Sequence, residues 1–333
     1  MKGRNGCLVA TGLFIAGLVG MTVCVVEVVN HSDTHLGDTW TWVGGDWTER
    51  SPVHAPPARE DAVMAYLPTT GTTLLFGGLD HDGLLGDSWT WDGRDWTPHP
   101  LRVSPPAESG SSLVYDPALG VLLLLASEPG RQLWAWNGRQ WASSASTLPA
   151  ACVPSYAAVF DRPTQQLVVL GGQVTCTWNG SAWTSHDNGH PMGASLIYPD
   201  RLTGAATILQ HRCCALSEGV AVADTTSLLS WDGAAWRTKL EAPSPRSSEL
   251  LGPSWPASFG ESERQSVVAF GARTCTGPPG DETWVLEGMA WHLASPHHRP
   301  SGRSTTQMAF DSGHGQLLMF GGSSSNGCGG LGA

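Results

Sequence analysis

Lysine is almost absent from this chain of 333 residues, which contains only Lys2 and Lys239. The arginines are scattered along the sequence, and the formal net charge is −11. A protein that binds nucleic acid neutralises phosphate groups with a basic surface, and no basic stripe is present here. The composition therefore argues against a nucleic-acid partner.

Long helical patterns of apolar residues are also missing after residue 30. Charged residues make up only 14% of the chain, whereas glycine (41 residues) and proline (23 residues) are abundant. Many turn-forming residues and few charges are typical of short strands joined by tight connections. The composition predicts an all-β fold.

The first 30 residues are the exception to this pattern. Lys2 and Arg4 precede an uncharged run from Leu8 to Val26, which as a helix would be about 28 Å long and would cross a bilayer. The run ends in bulky residues, whereas a signal-peptide cleavage site requires small ones. We therefore expect an uncleaved signal-anchor transmembrane helix in residues 1–30, with the rest of the chain outside the cell. The alternatives are secretion after signal cleavage, lipidation at Cys24 and a buried core helix.

Tryptophan marks a repeated unit. Fifteen of the 16 tryptophans belong to six copies of a unit built on Trp-x-Gly-x-x-Trp, and only Trp255 stands outside. The copies span residues 42–47, 91–96, 136–141, 178–183, 231–236 and 286–291, the last beginning with Leu286. In four copies the glycine follows Asp or Asn, and Asx-Gly between apolar strands predicts a β-hairpin.

A second half-unit lies between the hairpins. It runs from Arg59 to Phe76-Gly77-Gly78 in its first copy, and from Arg303 to Phe320-Gly321-Gly322 in its last. Each copy is interpreted as two further strands, which gives four strands per repeat. The first positions of the Trp-x-Gly-x-x-Trp units are 42 to 55 residues apart, and this period with four strands predicts the blades of a β-propeller.

These motifs resemble those of kelch-repeat propellers in the galactose-oxidase-like superfamily, where an Arg, a Gly-Gly run, an aromatic pair and a later Trp recur. The resemblance covers residues 37–322 and is also clear at Leu170-Gly171-Gly172. It weakens at Leu125-Ala126 and Leu209-Gln210, where the glycine pair is missing. The resemblance implies a propeller fold.

The order of the half-units predicts six blades. Because the chain starts with a hairpin and ends with an inner half-unit, the segments 37–48 and 303–322 must share one closing blade, which leaves no open edge strand. A seven-bladed ring that has lost a piece is the alternative. We therefore expect three regions, namely a cytoplasmic stub with the membrane helix (1–30), the propeller (31–322) and a Gly/Ser-rich tail (323–333).

The cysteines outside the membrane segment are even in number, which permits disulfides in an exported domain. They are Cys152, Cys176, Cys213, Cys214, Cys275 and Cys328. Cys152 with Cys176 and Cys275 with Cys328 are the two candidate pairs, and free thiols remain possible. Zinc binding is less favoured because the chain contains no Cys-x-x-Cys.

The family resemblance implies a copper radical oxidase as one activity, and the residues do not support it. That chemistry needs two tyrosines around the metal, whereas Tyr66, Tyr115 and Tyr198 occupy the repeat position that holds Phe160, Phe259 and Phe310 in other blades. We interpret the three tyrosines as core residues of the second strand. Tyr156 is the only tyrosine left.

Other catalytic signals are equally weak. The segment 230–236 resembles a sialidase Asp box with its spacing altered, and a hairpin explains it without catalysis. His297-His298, and His186 with His190, are expected to be solvated loop residues. Neither Gly-x-Ser-x-Gly nor a phosphate-binding Gly-rich loop occurs. We therefore assign no catalytic, cofactor-binding or metal-binding residue.

Our leading hypothesis is a membrane-anchored, extracytoplasmic, non-catalytic module that binds a protein or a glycan. Because function on repeat folds lies in loops of variable length, the site is expected in the four longest, residues 143–153, 210–226, 238–256 and 271–281. The alternative is a glycan-active lyase or hydrolase that uses these loops or the central channel. A structural spacer is the third possibility.

Overall fold

A computed structural model describes residues 35–324, apart from a set of short gaps. The gaps are residues 108, 110, 127–130, 153–157, 172, 189–194, 201–202, 213–215, 218–219, 222–224, 244–255, 262–266, 273–279 and 288–289. The predicted membrane helix of residues 1–30 and the tail from 325 lie outside this range. In the described part, no helix is long and apolar enough to cross a membrane.

Six four-stranded antiparallel sheets form the blades of a propeller. The closing blade contains β1 (Thr39–Val43), β2 (Asp46–Arg50), β27 (Gln307–Asp311) and β28 (Gln316–Phe320). Blade 1 contains β3 (Val63–Leu67), β4 (Thr72–Phe76), β7 (Ser88–Trp91) and β8 (Trp96–Pro98). Blade 2 contains β9 (Ser112–Asp116), β10 (Val121–Leu125), β11 (Gln132–Trp136) and β12 (Trp141–Thr147).

The other three blades follow the same order. Blade 3 contains β13 (Ala158–Asp161), β14 (Gln166–Leu170), β15 (Val174–Trp178) and β16 (Trp183–Asp187). Blade 4 contains β17 (Ser195–Pro199), β18 (Ala206–Arg212), β21 (Thr225–Trp231) and β22 (Trp236–Pro243). Blade 5 contains β23 (Pro256–Glu261), β24 (Val267–Ala272), β25 (Thr283–Glu287) and β26 (Ala290–Leu293).

Short elements decorate the connections. Two ribbons pair β5 (Leu79–Asp80) with β6 (Gly83–Leu84) and β19 (Leu216–Ser217) with β20 (Val220–Ala221). In the described part of the chain, one 3-10 turn spans Ala150–Cys152. The described residues form no seventh four-stranded sheet, so the expectation of six blades is confirmed.

The two ends of the propeller sequence meet in the closing blade. Strand β1 pairs with β28, and Thr39 lies opposite Phe320 while Trp42 lies opposite Leu317. Ser323 extends this closure by bridging both His35 and Ser304. The composite blade inferred from the order of the half-units is confirmed, and it removes the open edge that a strand would otherwise present.

Each Trp-x-Gly-x-x-Trp unit is a β-hairpin, as predicted. Trp136 lies opposite Trp141 across the pair of strands, and the two rings pack with their centroids 5.4 Å apart. Asn137 organises the turn because its side-chain oxygen accepts hydrogen bonds from the backbone N–H groups of Arg139 and Gln140. Gly138 has a φ of 94°, a conformation that residues with a side chain rarely adopt.

In four of the units, the last tryptophan also joins neighbouring blades. Its indole N–H donates to a buried Ser or Thr hydroxyl at the start of the third strand of the preceding blade. The pairs are Trp47 with Thr283, Trp96 with Thr39, Trp141 with Ser88 and Trp236 with Thr175. In blade 2 this position holds Leu133, and the N–H of Trp183 has no acceptor among the described residues. The repeat therefore fixes contacts between blades as well as the hairpin within each blade.

Candidate functional site

The first strands of the blades surround a central channel. These strands contact one another in the ring order β23, β27, β3, β9, β13 and β17. Because strands alternate in direction, the turns between the first and second strands all lie at one end of the channel, and we call this the turn end. The connections between blades, together with those between second and third strands, lie at the opposite loop end.

A cavity of about 590 Å³ occupies the turn end of the channel. Its volume falls within the range of roughly 300–1,000 Å³ that is typical of ligand pockets. Apolar residues of the first strands form most of its wall, among them Leu113, Val114, Val159, Ile197 and Met308. Pro68, Pro117, Arg162, Asp200 and Ser312, from the turns that follow these strands, complete the lining.

Four aromatic residues line this cavity at one height, in consecutive blades around the ring. Each of them pairs with a residue of the second strand. That residue pairs in turn with the first tryptophan of the blade's Trp-x-Gly-x-x-Trp unit. We call this set the aromatic arc, and it consists of Phe310, Tyr66, Tyr115 and Phe160. The arc presents flat apolar surface from four blades to a single space.

The structure corrects the sequence interpretation of these aromatic residues in two ways. Tyr66, Tyr115 and Tyr198 lie on first strands, line the cavity and are only partly buried, whereas we expected core residues of the second strand. The six positions are also not equivalent. Tyr198 lies opposite Thr207, which pairs with Ser230 and not with Trp231, so it is shifted by one residue. Phe259 is shifted by two residues, since its partner Ala269 lies opposite Trp284 and not opposite Leu286, the first residue of the unit in blade 5.

Tyr66 links blade 1 to the closing blade at the rim of the cavity. Its phenol oxygen is hydrogen-bonded to the backbone N–H of Gly313 and to the side chain of Ser312. Burial, followed by the negative charge of Asp311, raises the pKa of Tyr66 above its usual value. The phenol is therefore neutral at physiological pH and acts as a hydrogen-bonding group rather than as a base.

Tyr115 is available to a ligand in a way that Tyr66 is not. Its ring lies in the middle of the arc and packs beside the core of blades 1 and 2. Within the described part of the chain, its hydroxyl has no protein partner. A ligand in the cavity therefore meets both an apolar ring and a free hydroxyl at this position.

Arg162 and Asp200 supply the charge at the rim. Both line the cavity, and each follows a first strand, β13 and β17 respectively. The Asp200 carboxylate accepts hydrogen bonds from the backbone N–H and the hydroxyl of Thr203 and lies 3.9 Å from the Lys239 ammonium. The described cavity lining contains no histidine and no other carboxylate.

The described parts of the four long loops predicted from the sequence lie away from this cavity. Each connects either two blades or a second strand with a third, and all four therefore belong to the loop end. Strands β12, β18, β22 and β24 extend into them, and residues 244–255 and 273–279 lie outside the described part. The sequence predicts the site in these loops because of their length, whereas the cavity is lined by the first strands and by the short turns that follow them.

One predicted disulfide is confirmed. Cys152 and Cys176 are bonded, with their Cα atoms 5.7 Å apart, and both are buried in the core shared by blades 2 and 3. Cys213, Cys214, Cys275 and Cys328 lie outside the described residues, and the pairing of Cys275 with Cys328 stays a prediction.

The histidines are more involved in structure than the sequence suggested. His186 lies in β16, where its ring hydrogen-bonds the Thr177 hydroxyl and packs edge-on against Trp231. His298 contacts Asp46 through its backbone N–H and its ring. The expectation of a solvated loop residue is wrong for His186, which belongs to a strand, whereas His297 and His298 are exposed loop residues, as expected. His190 lies outside the described residues.

Among the described residues, one cluster has three side chains close enough to share a metal ion, namely Asp80, His81 and Asp82. It lies in the tight turn between β5 and β6. Asp80 already accepts hydrogen bonds from the backbone N–H groups of Asp82 and Gly83. The turn explains the position of these residues without a metal ion.

No family model and no curated protein matches the chain. Solved structures do resemble it. A protein of unknown function from Bacteroides thetaiotaomicron has a TM-score of 0.50 at 8% identity, over 86% of this chain and 76% of that one. The SapL1 lectin in complex with alpha methyl fucoside has a TM-score of 0.45 at 13% identity, over 75% and 85% of the two chains. At these identities the likeness is one of fold alone.

Proposed function

We propose that this protein is a non-catalytic binding module that holds a carbohydrate in the cavity of a kelch-like propeller. We propose in addition that residues 1–30 anchor the propeller to the outside of the cell membrane, as the uncharged run from Leu8 to Val26 indicates. A protein ligand would insert a side chain into the same cavity.

The observation that carries the proposal is the aromatic arc. A sugar ring has an apolar C–H face and a hydroxylated edge. The face packs against flat aromatic rings, and the edge requires hydrogen-bonding groups. Tyr115 offers both at one position, and the remaining lining is mostly apolar with a few polar groups at the rim. This combination is typical of a small-molecule binding site.

The lining favours binding over glycoside hydrolysis. A typical glycosidase needs two carboxyl groups that flank the scissile bond, and Asp200 is the only one in the described lining. That carboxylate is held by Thr203, and Tyr66 stays protonated because its pKa is raised. A hydrolase of this kind would therefore need a second carboxyl group from outside the described lining.

The full-length protein, purified in detergent, tests the proposal on a glycan array followed by calorimetry of the glycans that bind. We expect Tyr115→Ala to weaken binding by about tenfold, since stacking on an aromatic ring is lost. Tyr115→Phe keeps the ring and is expected to lose less. Ser143→Ala and Thr147→Ala in the exposed part of β12 at the loop end serve as controls.

Two results would contradict the proposal. If loop-end variants abolish binding while Tyr115→Ala does not, the site lies in the long loops. If no glycan binds the wild-type protein, the cavity has another ligand. Cell fractionation tests the anchor separately, because release of the mature protein into the medium would show cleavage rather than anchoring.

A further inference from the structure

Arg162 gives this cavity a positive charge within an acidic protein. The chain has a net charge of −11, and Arg162 is the only cationic residue in the described cavity lining. Cationic groups in a ligand site select ligands by charge, so the environment of this guanidinium decides whether it is available.

The side chain of Arg162 is held in place by the neighbouring blade. Its backbone N–H donates to the carbonyl of Gly204 at 3.0 Å. Gly204 has no side chain at the point of contact, and a Cβ there would lie only 2.5 Å from Cδ of Arg162. The aliphatic stem therefore lies flat on the glycine backbone, and this packing restricts the directions in which the guanidinium can point.

The nearby carboxylates are already occupied by the fold. Asp161 accepts hydrogen bonds from the backbone N–H and hydroxyl of Thr164 and from the N–H of Ala206. Asp200 is bound by Thr203 and lies near Lys239. Among the residues that the structure describes, the guanidinium of Arg162 makes no ion pair or hydrogen bond. Its five N–H donors are thus available at the rim of an otherwise apolar cavity.

We propose that the carbohydrate held in this cavity is a hexuronic acid residue, whose carboxylate is bound by Arg162. The inference rests on the proposed function and deepens it. The planar guanidinium matches a carboxylate with two parallel hydrogen bonds. The C–H face of the same sugar ring packs on the aromatic arc, and its hydroxyl groups reach Tyr115. Neutral sugars keep the stacking contact and lose the charged one.

Matched ligands isolate the carboxylate. We would titrate the full-length protein with methyl β-D-glucuronide and methyl β-D-glucoside, and with the corresponding galacturonide and galactoside, by calorimetry or saturation-transfer NMR. At low salt, we expect at least one uronide to bind about tenfold more tightly than its neutral counterpart, because charge-assisted hydrogen bonds are about twice as strong as neutral ones. The preference should shrink as salt is added, since the rim is exposed.

Matched variants isolate the residue. Arg162→Met keeps the aliphatic stem over Gly204 and removes the charge, so it should cost the uronide about tenfold and leave the neutral glycoside unchanged. Arg139→Met makes the same change of charge in an exposed hairpin at the same end of the protein, outside the cavity lining. We expect it to bind both ligands as the wild type does.

The outcomes separate this inference from the proposed function. Equal affinity for uronide and neutral glycoside, or an Arg162→Met variant that binds uronide as tightly as the wild type, would overturn the role of Arg162 while a carbohydrate site remains. If Tyr115→Ala leaves the binding of every glycoside unchanged, the carbohydrate site itself is overturned. A uronide preference that both Arg162→Met and Arg139→Met reduce equally would indicate a non-specific effect of net charge and would also overturn the inference.

Discussion

The joint between the closing blade and blade 1 differs in chemistry from the joint between blades 2 and 3. In the joint between the closing blade and blade 1, Trp96 donates to the Thr39 hydroxyl at 3.0 Å. Arg59 also connects the two blades, because its backbone bonds the closing blade and its guanidinium binds Asp87 of blade 1. In the joint between blades 2 and 3, Trp183 has no acceptor among the described residues, and Leu133 stands where the hydroxyl would be. The disulfide between Cys152 and Cys176 lies in the apolar core of that joint.

The difference shows that one backbone architecture tolerates two ways of holding blades together. A buried polar joint is stable only when every donor finds its acceptor. Where the hydroxyl is replaced by an apolar side chain, packing and a covalent bond take over. Variants of these joints test the difference, and those expected to change the stability of the protein most come first.

Arg59→Met should lower the free energy of unfolding most, by about 3–4 kcal/mol, because it leaves a partly buried carboxylate without its partner. Arg59 is fully buried, and it donates to Asp87 at 2.6 and 2.8 Å and to the Gly77 carbonyl at 2.9 Å. Urea denaturation measures the loss. Arg94→Met, at an exposed hairpin position of the same blade, is the control and should change little.

The same pair makes the joint sensitive to acid. Burial by itself raises the pKa of Asp87, but the hydrogen bonds and charge of Arg59 outweigh burial and lower it below 3.8. The stabilisation is therefore present above pH 3.8 and is lost as the pH falls through the lowered pKa. The difference in stability between wild type and Arg59→Met should shrink below pH 4. A difference that stays constant down to pH 2 would show that the ion pair is not its source.

Replacing both Cys152 and Cys176 with Ala should lower the free energy of unfolding by about 3 kcal/mol, because the bond closes a loop of 24 residues in the unfolded chain. Hydrogen exchange should increase in β11 and β15, at the joint between blades 2 and 3. Strands β1 and β7 provide the internal control, since their joint contains no disulfide. Equal increases in all four strands would indicate that the blades unfold together.

Trp96→Phe should destabilise the protein by about 1 kcal/mol more than Trp183→Phe. Both changes remove an indole of the same size from equivalent positions. The first leaves the buried Thr39 hydroxyl without its donor, whereas the second removes an N–H that has no acceptor among the described residues. Thermal melts compare the two variants. If Trp183→Phe costs as much as Trp96→Phe, the indole hydrogen bond contributes little to the joint.

The smallest effect concerns a contact at a third joint, between blade 5 and the closing blade. Asp46 of the closing blade has a pKa lowered to about 2, chiefly by the backbone N–H of His298 and less by its ring. The equivalent residue of blade 3 is Ala182. An NMR titration should therefore find the pKa of Asp46 still below 3.8 in His298→Ala, because the backbone donor remains. A return to 3.8 would assign the shift to the ring.

Much of the fold was predictable because its signals are local. The Trp-x-Gly-x-x-Trp units predicted six hairpins, and their order along the chain predicted the closing blade. The hairpin depends on residues only a few positions apart, such as Asn137 and Gln140, so the pattern can be recognised in the sequence itself. The bond between Cys152 and Cys176 was predictable for the same reason, since the two cysteines are only 24 residues apart and lie near one blade.

The cavity was harder to predict. The recurring aromatic residue is visible in the sequence, and its place on the innermost strand of the blade is the signal for a residue that faces the channel. The shift of Tyr198 by one residue depends on how β17 pairs with β18, and side chains in a strand change faces with every residue. Arg162 follows β13 in a turn that has no distinctive sequence, and its availability depends on Gly204 in the next blade.

The repeat, the number of blades and the closure of the ring follow from periodic patterns and from the order of the half-units, which are visible in the sequence alone. Which aromatic residues face a common cavity, and which joints are polar, depends on the tertiary structure. The physical reason is distance along the chain. Trp47 bonds a hydroxyl 236 residues away, and such contacts exist only once the blades are placed side by side.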